Sequence, residues 1–251
     1  MQNVSGNCMT RPFIIMLGLV LIVSCNQSKT NSANQIDKYE FTNLRISDSL
    51  KLPKGFQIDS TLKFDTSRNS EIQLIVPKYI NSTNFDTEVS TYIQKRLADF
   101  ITSLDTLIQE DHSMVLSSPS SFIVNPVSVY KNNTLLSYCF IISSDHAGAA
   151  HPLTKYYSFN YDLSKETQIN LFDYFNIKST KDTACLKYII NKAIGRPNIG
   201  IDKLYNIDFN IESDSIAFNF DDYEIASYAE GIIKAKVDKR DLQKLVVNNY
   251  R

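Results

Sequence analysis

The 251-residue sequence has no tryptophan, only seven glycines and seven prolines, four cysteines and three histidines. So little glycine and proline excludes collagen-like and glycine-rich low-complexity chains. Four cysteines are too few for a fold held by a disulfide framework. A surplus of either charge is also missing. Lys and Arg number 26 against 27 Asp and Glu, a formal net charge of −1. That balance removes the electrostatic attraction on which nucleic-acid binding depends, so no nucleic-acid partner is expected. The sequence has no G-x-S-x-G, no glycine-rich phosphate loop and no compact metal-ligand spacing. The expectation is a chain that is not an enzyme and that carries no cofactor or metal. Apolar residues make up 43% of it, enough for a folded part of one good core or two small ones.

Long apolar runs are scarce as well. Residues 13–23, FIIMLGLVLIV, form the longest, too short for the ~20 residues of a membrane-spanning helix. They have the length of a signal-peptide core, with Arg11 as a minimal positive flank and Met9 as an alternative start to Met1. Ile22-Val23-Ser24-Cys25 follows and resembles a bacterial lipobox. That resemblance implies a lipoprotein signal peptide over 1–24, cleavage before Cys25, and acylation of Cys25 as an anchor in a lipid bilayer. An ordinary signal peptide with an incidental cysteine is the alternative. Residues 25–38 are polar and read as a flexible tether. Asn26, in place of a retaining Asp, favours the outer membrane facing the periplasm. Cys139 and Cys185 read as two buried thiols, with a disulfide permitted by an oxidising envelope.

Alternation predicts strands over 39–46, 55–65 and 71–80, the last placed toward an edge by Pro77. Steps of three and four from Phe85 through Val89, Ile93, Leu97, Ile101, Leu104 and Ile108 predict one long helix over 85–109 that covers a sheet. Tyr92 and Phe100 widen its face, and Thr83-x-x-Asp86 is its cap signal. A hairpin is expected from 122–130 to 134–143, then strands at 155–161 and 167–170 and a short helix from Leu171. A second helix is expected over 182–194, with Leu186, Ile189, Ile190 and Ala193 inward, ended by Gly195 and Pro197. A three-stranded meander follows (208–211, 215–220, 232–237). It is closed by a C-terminal helix over 238–247 capped by Asp238. Strands and helices mix without strict alternation, so the class is α+β, with antiparallel sheets.

Three stretches carry a family resemblance. The first is Ala147-Gly148-Ala149-Ala150-His151-Pro152, leading to Asn160-Tyr161-Asp162-Leu163. The second runs from Ile169 to Phe175. The third runs from Ile216 to Phe220 and on through Tyr223-Glu224-Ile225-Ala226-Ser227-Tyr228-Ala229-Glu230-Gly231. Together they resemble the C-terminal domain of RsiV-type proteins. That family includes lysozyme-binding anti-sigma factors, extracellular modules of cell-wall deacetylases, and many lipoproteins. Ser227 replaces a common proline, and Gly148-Ala149 stands where two glycines are usual. The resemblance covers residues 55–247. It implies an N-terminal strand-strand-strand-helix subdomain over 39–120 and the RsiV-like domain over 121–251. It also implies a non-enzymatic binding or sensing role toward a basic, lysozyme-like envelope protein or peptidoglycan. No sigma-factor segment or deacetylase domain is expected.

The candidate ligand-binding residues are His151, Asp221, Asp222, Glu224 and Tyr228. His151 reads first as a loop residue whose ring bonds a carbonyl, and His146 as a solvated neighbour. A zinc site of His146, His151 and Asp145 is the weaker alternative. Asp221, Asp222 and Glu224 read as a solvated turn ahead of a Ca²⁺ site, and they could meet a basic partner. Along Tyr156, Tyr157, Phe159 and Tyr161, one face is expected in the core and the other is open to a ligand. A cell-wall hydrolase with a site near His151 and Asp221–Glu224, and a purely structural lipoprotein, are the alternative readings.

Overall fold

The structure is a computed structural model that describes residues 50–81, 83–111, 113, 118–195, 204 and 207–250. The expected signal peptide, Cys25, the tether, the strand over 39–46, His112 and Pro197 lie outside the described residues. Among the described residues, no helix is long and apolar enough to cross a membrane.

Six strands form one sheet in chain order: β1 (Phe56–Asp65), β2 (Ser70–Tyr79), β3 (Ser120–Lys131), β4 (Leu135–Asp145), β5 (Leu153–Asp162) and β6 (Thr167–Gln168). All neighbours are antiparallel except β2 and β3, which run parallel from Ser70 beside Ser120 to Leu74 beside Val124. A parallel neighbour needs a crossover, and helix α1 (Thr83–Glu110) is that crossover. The sheet is therefore continuous through residue 120, where the sequence reading sets a subdomain boundary. Pairing with β3 stops at Leu74, so Pro77 sits in the half of β2 that has a neighbour only in β1. This is the edge-like setting its missing N–H requires.

Helix α1 buries Phe85, Val89, Ile93, Phe100 and Leu104 against the sheet. Leu97 and Ile101, expected on this face, are only partly buried, while Phe100, expected to widen it, is buried. Asp86, expected in the cap, accepts the Tyr79 N–H at 3.1 Å and ties the end of β2 to the helix start. Period-two alternation supplies the opposing face: Leu136, Tyr138, Phe140 and Ile142 from β4, Phe159 and Tyr161 from β5, Phe122 and Val124 from β3. A register shift between Pro126 and Ser128 inserts one residue, so beyond it odd-numbered Val129 faces this core. A one-residue bulge exchanges the faces in just this way.

The second sheet is the expected meander, β7 (Asp208–Ile211), β8 (Ser215–Phe220) and β9 (Ile233–Asp238). Its apolar face carries Phe209, Ile211, Ile216, Phe218, Phe220, Ala235 and Val237. They pack on residues of helix α2 (Leu171–Tyr174) and helix α3 (Thr180–Ile194), including Tyr174, Leu186 and Ile190. Ser179 and Asp182 form a capping box at the start of α3, and Gly195 closes it at φ 75, a left-handed position that suits glycine. Ala193, expected inward, is exposed. Cys139 is buried, but Cys185 is an exposed free thiol on α3, which corrects the expectation of two buried ones. The C-terminal helix starts at its expected cap, where Asp238 accepts the Arg240 N–H. It lasts one turn only, as α4 (Lys239–Leu242). Val246 then bridges Phe175, and the Val247 N–H reaches the Tyr174 carbonyl. Backbone pairing to a distant segment replaces the helical bonds there.

The two sheets meet through polar side chains. Ser137 Oγ donates to Asn160 Oδ1 at 2.7 Å and accepts the Ile211 N–H at 2.9 Å. Asn160 Nδ2 donates to the Phe209 carbonyl at 2.8 Å. Asn210 donates to Ser128 Oγ and accepts from Asn219 Nδ2, both at 2.9 Å. Ser137, Asn160, Asn210 and Asn219 are all buried. A buried polar group that loses its partner costs about 1–3 kcal/mol. Asn160→Ala strands the Ser137 hydroxyl and the Phe209 carbonyl together. It should lower stability by about 1–3 kcal/mol, read in urea unfolding as a lower midpoint at unchanged slope.

Candidate functional site

Strand β5 pairs with β4 along its inner edge, and β6 covers only Tyr161 and Asp162 on the outer edge. Alternate outward N–H groups of β5 thus need acceptors, and carboxylates supply them. The Thr154 N–H donates to Asp222 at 3.2 Å, the Tyr156 N–H to Asp221 at 2.8 Å, and the Ser158 N–H to Asp208 at 3.1 Å. Ser158 Oγ also donates to Asp208, at 3.0 Å. Glu224 accepts the Asp221 N–H at 2.9 Å and closes the loop after β8. The acidic cluster, expected as a solvated turn, is therefore engaged with backbone along a strand edge. Lys155 Nζ adds a contact of 3.7 Å to Asp221.

His151 sits at the centre of an aromatic group. Its ring stacks on Tyr228 with centroids 3.6 Å apart, and Nε2 lies 2.9 Å from the Tyr223 hydroxyl. Nδ1 lies 3.2 Å from the Pro152 carbonyl. A carbonyl only accepts, so Nδ1 carries the hydrogen of that contact. The expected loop-carbonyl bond is present. Tyr223 is exposed and has φ 65, a left-handed conformation that is strained for a bulky residue. Sequence reasoning missed Tyr223. Its signal was its place between Asp222 and Glu224, in the third of the stretches that carry the family resemblance.

The five candidate residues are thus brought into one region, through β5 and the segment after β8. Among the described residues, no group of three or more His, Cys, Asp or Glu could hold a metal ion. His146 is not a solvated neighbour of His151. Its ring packs on Phe100 at 5.0 Å, and its Nε2 is buried without a partner. One face of β5 is in the core as expected: Phe159 and Tyr161 join it with α1, and Tyr157 packs at its margin. The other face, expected open to a ligand, is buried at Tyr156 and Asn160, where Asn160 bonds the second sheet.

Asp208 is the other residue the sequence reading missed. Burial is the largest influence on it, and repulsion from Asp221 and Glu224 acts the same way, so its carboxyl is pushed from 3.8 up to about 7 despite the bonds from Ser158. Burial pushes Asp221 up too, against the Tyr156 amide and Lys155. A raised carboxylate pKa means the folded state holds the proton longer than the unfolded chain. Asp208's stabilising contribution is full below about pH 4 and is lost as pH rises through about 7. An asparagine side chain at this position would still accept the Ser158 N–H and could donate to Ser158 Oγ, without the charge. Asp208→Asn should therefore gain stability relative to the parent progressively between about pH 4 and 7. Thermal melts across that range check this.

Residues 83–240 match the DUF3298 family, described as a protein of unknown function. Two solved structures are similar in fold. One is a DUF3298 family protein from Pseudomonas aeruginosa PAO1, at 15% identity and TM-score 0.54, covering 79% of this chain and 96% of that one. The other is a member of the family from Bacteroides fragilis NCTC 9343, at 17% identity and TM-score 0.53, covering 77% and 94%. No curated protein matches the chain. The family match takes in α1, the large sheet from β3 onward and the whole meander, and on it the chain belongs to the DUF3298 family of proteins of unknown function.

Proposed function

We propose that this chain is an RsiV-like lipoprotein, anchored through acylated Cys25 in the cell envelope, that binds a basic, lysozyme-like envelope protein and is not an enzyme. One observation carries the reading. Tyr223 is held out to solvent in a strained conformation by its bond to His151, beside the stacked Tyr228 and the carboxylates of Asp221 and Asp222. Pre-positioned tyrosines on a surface are typical anchors of protein interfaces, and neighbouring carboxylates steer a basic partner. The alternative of a hydrolase at this place has less support. Asp221, Asp222 and Glu224 each have an oxygen committed to a backbone N–H, which suits them to shaping the loop. The lipobox resemblance of Ile22-Val23-Ser24-Cys25 supports the anchor.

Asp221 and Asp222 are poor targets for a test, because removing them frees β5 amides. Tyr223→Gly suits better, since glycine adopts φ 65 without strain and only the ring is lost. Immobilised c-type lysozyme should retain the parent saturably and Tyr223→Gly at least about tenfold more weakly, the scale of a central interface tyrosine. No retention, or equal retention, overturns the reading. Saturable retention on purified peptidoglycan alone would move it to a cell-wall polymer. For the anchor, Cys25→Ser should abolish palmitate labelling and move the protein from the membrane to the soluble fraction. Unchanged labelling would show that Cys25 is not the acylated residue.

A further inference from the structure

A hollow of about 270 Å³ opens between α1 and the large sheet, apart from the His151 group. Phe100, Tyr157 and His146 line it, with Arg96 and Lys155 at hand. Arg96 is pre-positioned. Its guanidinium lies over the Tyr92 ring at 5.1 Å and the Tyr157 ring at 5.7 Å, and Nε donates to the Tyr92 hydroxyl at 3.2 Å. Among the described residues its one carboxylate contact is Nη1 to Asp99, at a long 3.4 Å. Among the described residues Nη2 has no hydrogen-bond partner, and Lys155 has only the 3.7 Å contact to Asp221. Two cations thus face an aromatic-walled hollow whose lining also includes Asp99. His146, Ser103 and Ser144 are among its lining residues.

We propose that this hollow binds the carboxylate end of a short peptide. A guanidinium held flat on aromatic rings keeps its fork in place, and the fork matches a carboxylate in two parallel bonds. Lys155 adds a second positive charge. The aromatic walls take a small apolar side chain, and the hydroxyls of Ser103 and Ser144 take the adjoining peptide group. The volume suits one or two residues. A simple fatty acid would satisfy the cations and make no bond to Ser103 or Ser144.

The full chain would be titrated by calorimetry with N-acetyl-Ala-Ala, its C-terminal amide, and hexanoate. The acid should bind saturably, with the amide and hexanoate each at least about tenfold weaker. Arg96→Met should weaken the acid at least about tenfold at an unchanged melting temperature, and Arg96→Lys should recover only part of that loss. If Arg96→Met fails to fold, Lys155→Met gives the same reading with a smaller loss. Equal binding of acid and amide, no saturable binding of the acid, or an acid affinity indifferent to both variants overturns the proposal. Hexanoate binding as well as the peptide acid overturns its peptide half. Tyr223→Gly should leave this binding unchanged, so the peptide site and the lysozyme-type interface can fail separately.

Discussion

The constraint on which the rest of this structure depends is the outer edge of β5. Its outward N–H groups at Thr154, Tyr156 and Ser158 lie beyond the reach of the short β6. Buried edges of this kind must be paired or covered. This chain covers the edge with three carboxylates, Asp222, Asp221 and Asp208, from the second sheet and the loop after β8. The seam behind the edge is a chain of Ser and Asn bonds from Ser128 through Asn210 and Asn219 to Ser158. Such a seam fixes register as well as proximity, since a shift of one residue would put every bond out of reach.

The two hydrophobic cores then follow. One lies between α1 and the large sheet, the other between the meander and α3. Each sheet presents one apolar face outward to a helix and one polar face inward to the other sheet. The layers run helix, sheet, sheet, helix. This explains why strands such as β8 are buried on both faces yet keep an Asn at 219. Asp208 carries the cost of the arrangement, a carboxylate at the end of the seam that burial forces toward neutrality.

Much of this is legible in the sequence. Local periodicity places α1, the β3–β4 hairpin, α3 and the meander, because each buries a face with its own repeat. Caps at Ser179 and Asp238 and the stop at Gly195 are local chemistry and read equally well. What escapes is non-local. The parallel β2–β3 pairing depends on the crossover, the single-turn length of α4 depends on a bridge from Val246 to Phe175, and the packing of His146 depends on Phe100 of α1. The candidate residues His151, Asp221, Asp222, Glu224 and Tyr228 lie in one region, yet the carboxylates expected in a solvated turn bond backbone N–H groups. An acidic run after a strand looks alike whether it faces water or an unpaired strand edge.

The same economy links fold to function. Because the carboxylates hold β5, the loop from Asp221 to Glu224 is pinned at several points, and pinning is what lets Tyr223 persist at positive φ. A free loop would relax such strain. The ring's exposure, its bond to His151 and the stack of His151 on Tyr228 then form a rigid surface feature rather than a mobile one. Rigid aromatic side chains lose little conformational entropy on binding. On this argument the edge of β5 does two jobs through the same residues. It joins the sheets, and under the proposed binding role it presents the aromatic surface, so a mutation that loosens the Asp221 and Asp222 contacts should damage that proposed recognition before it damages either hydrophobic core.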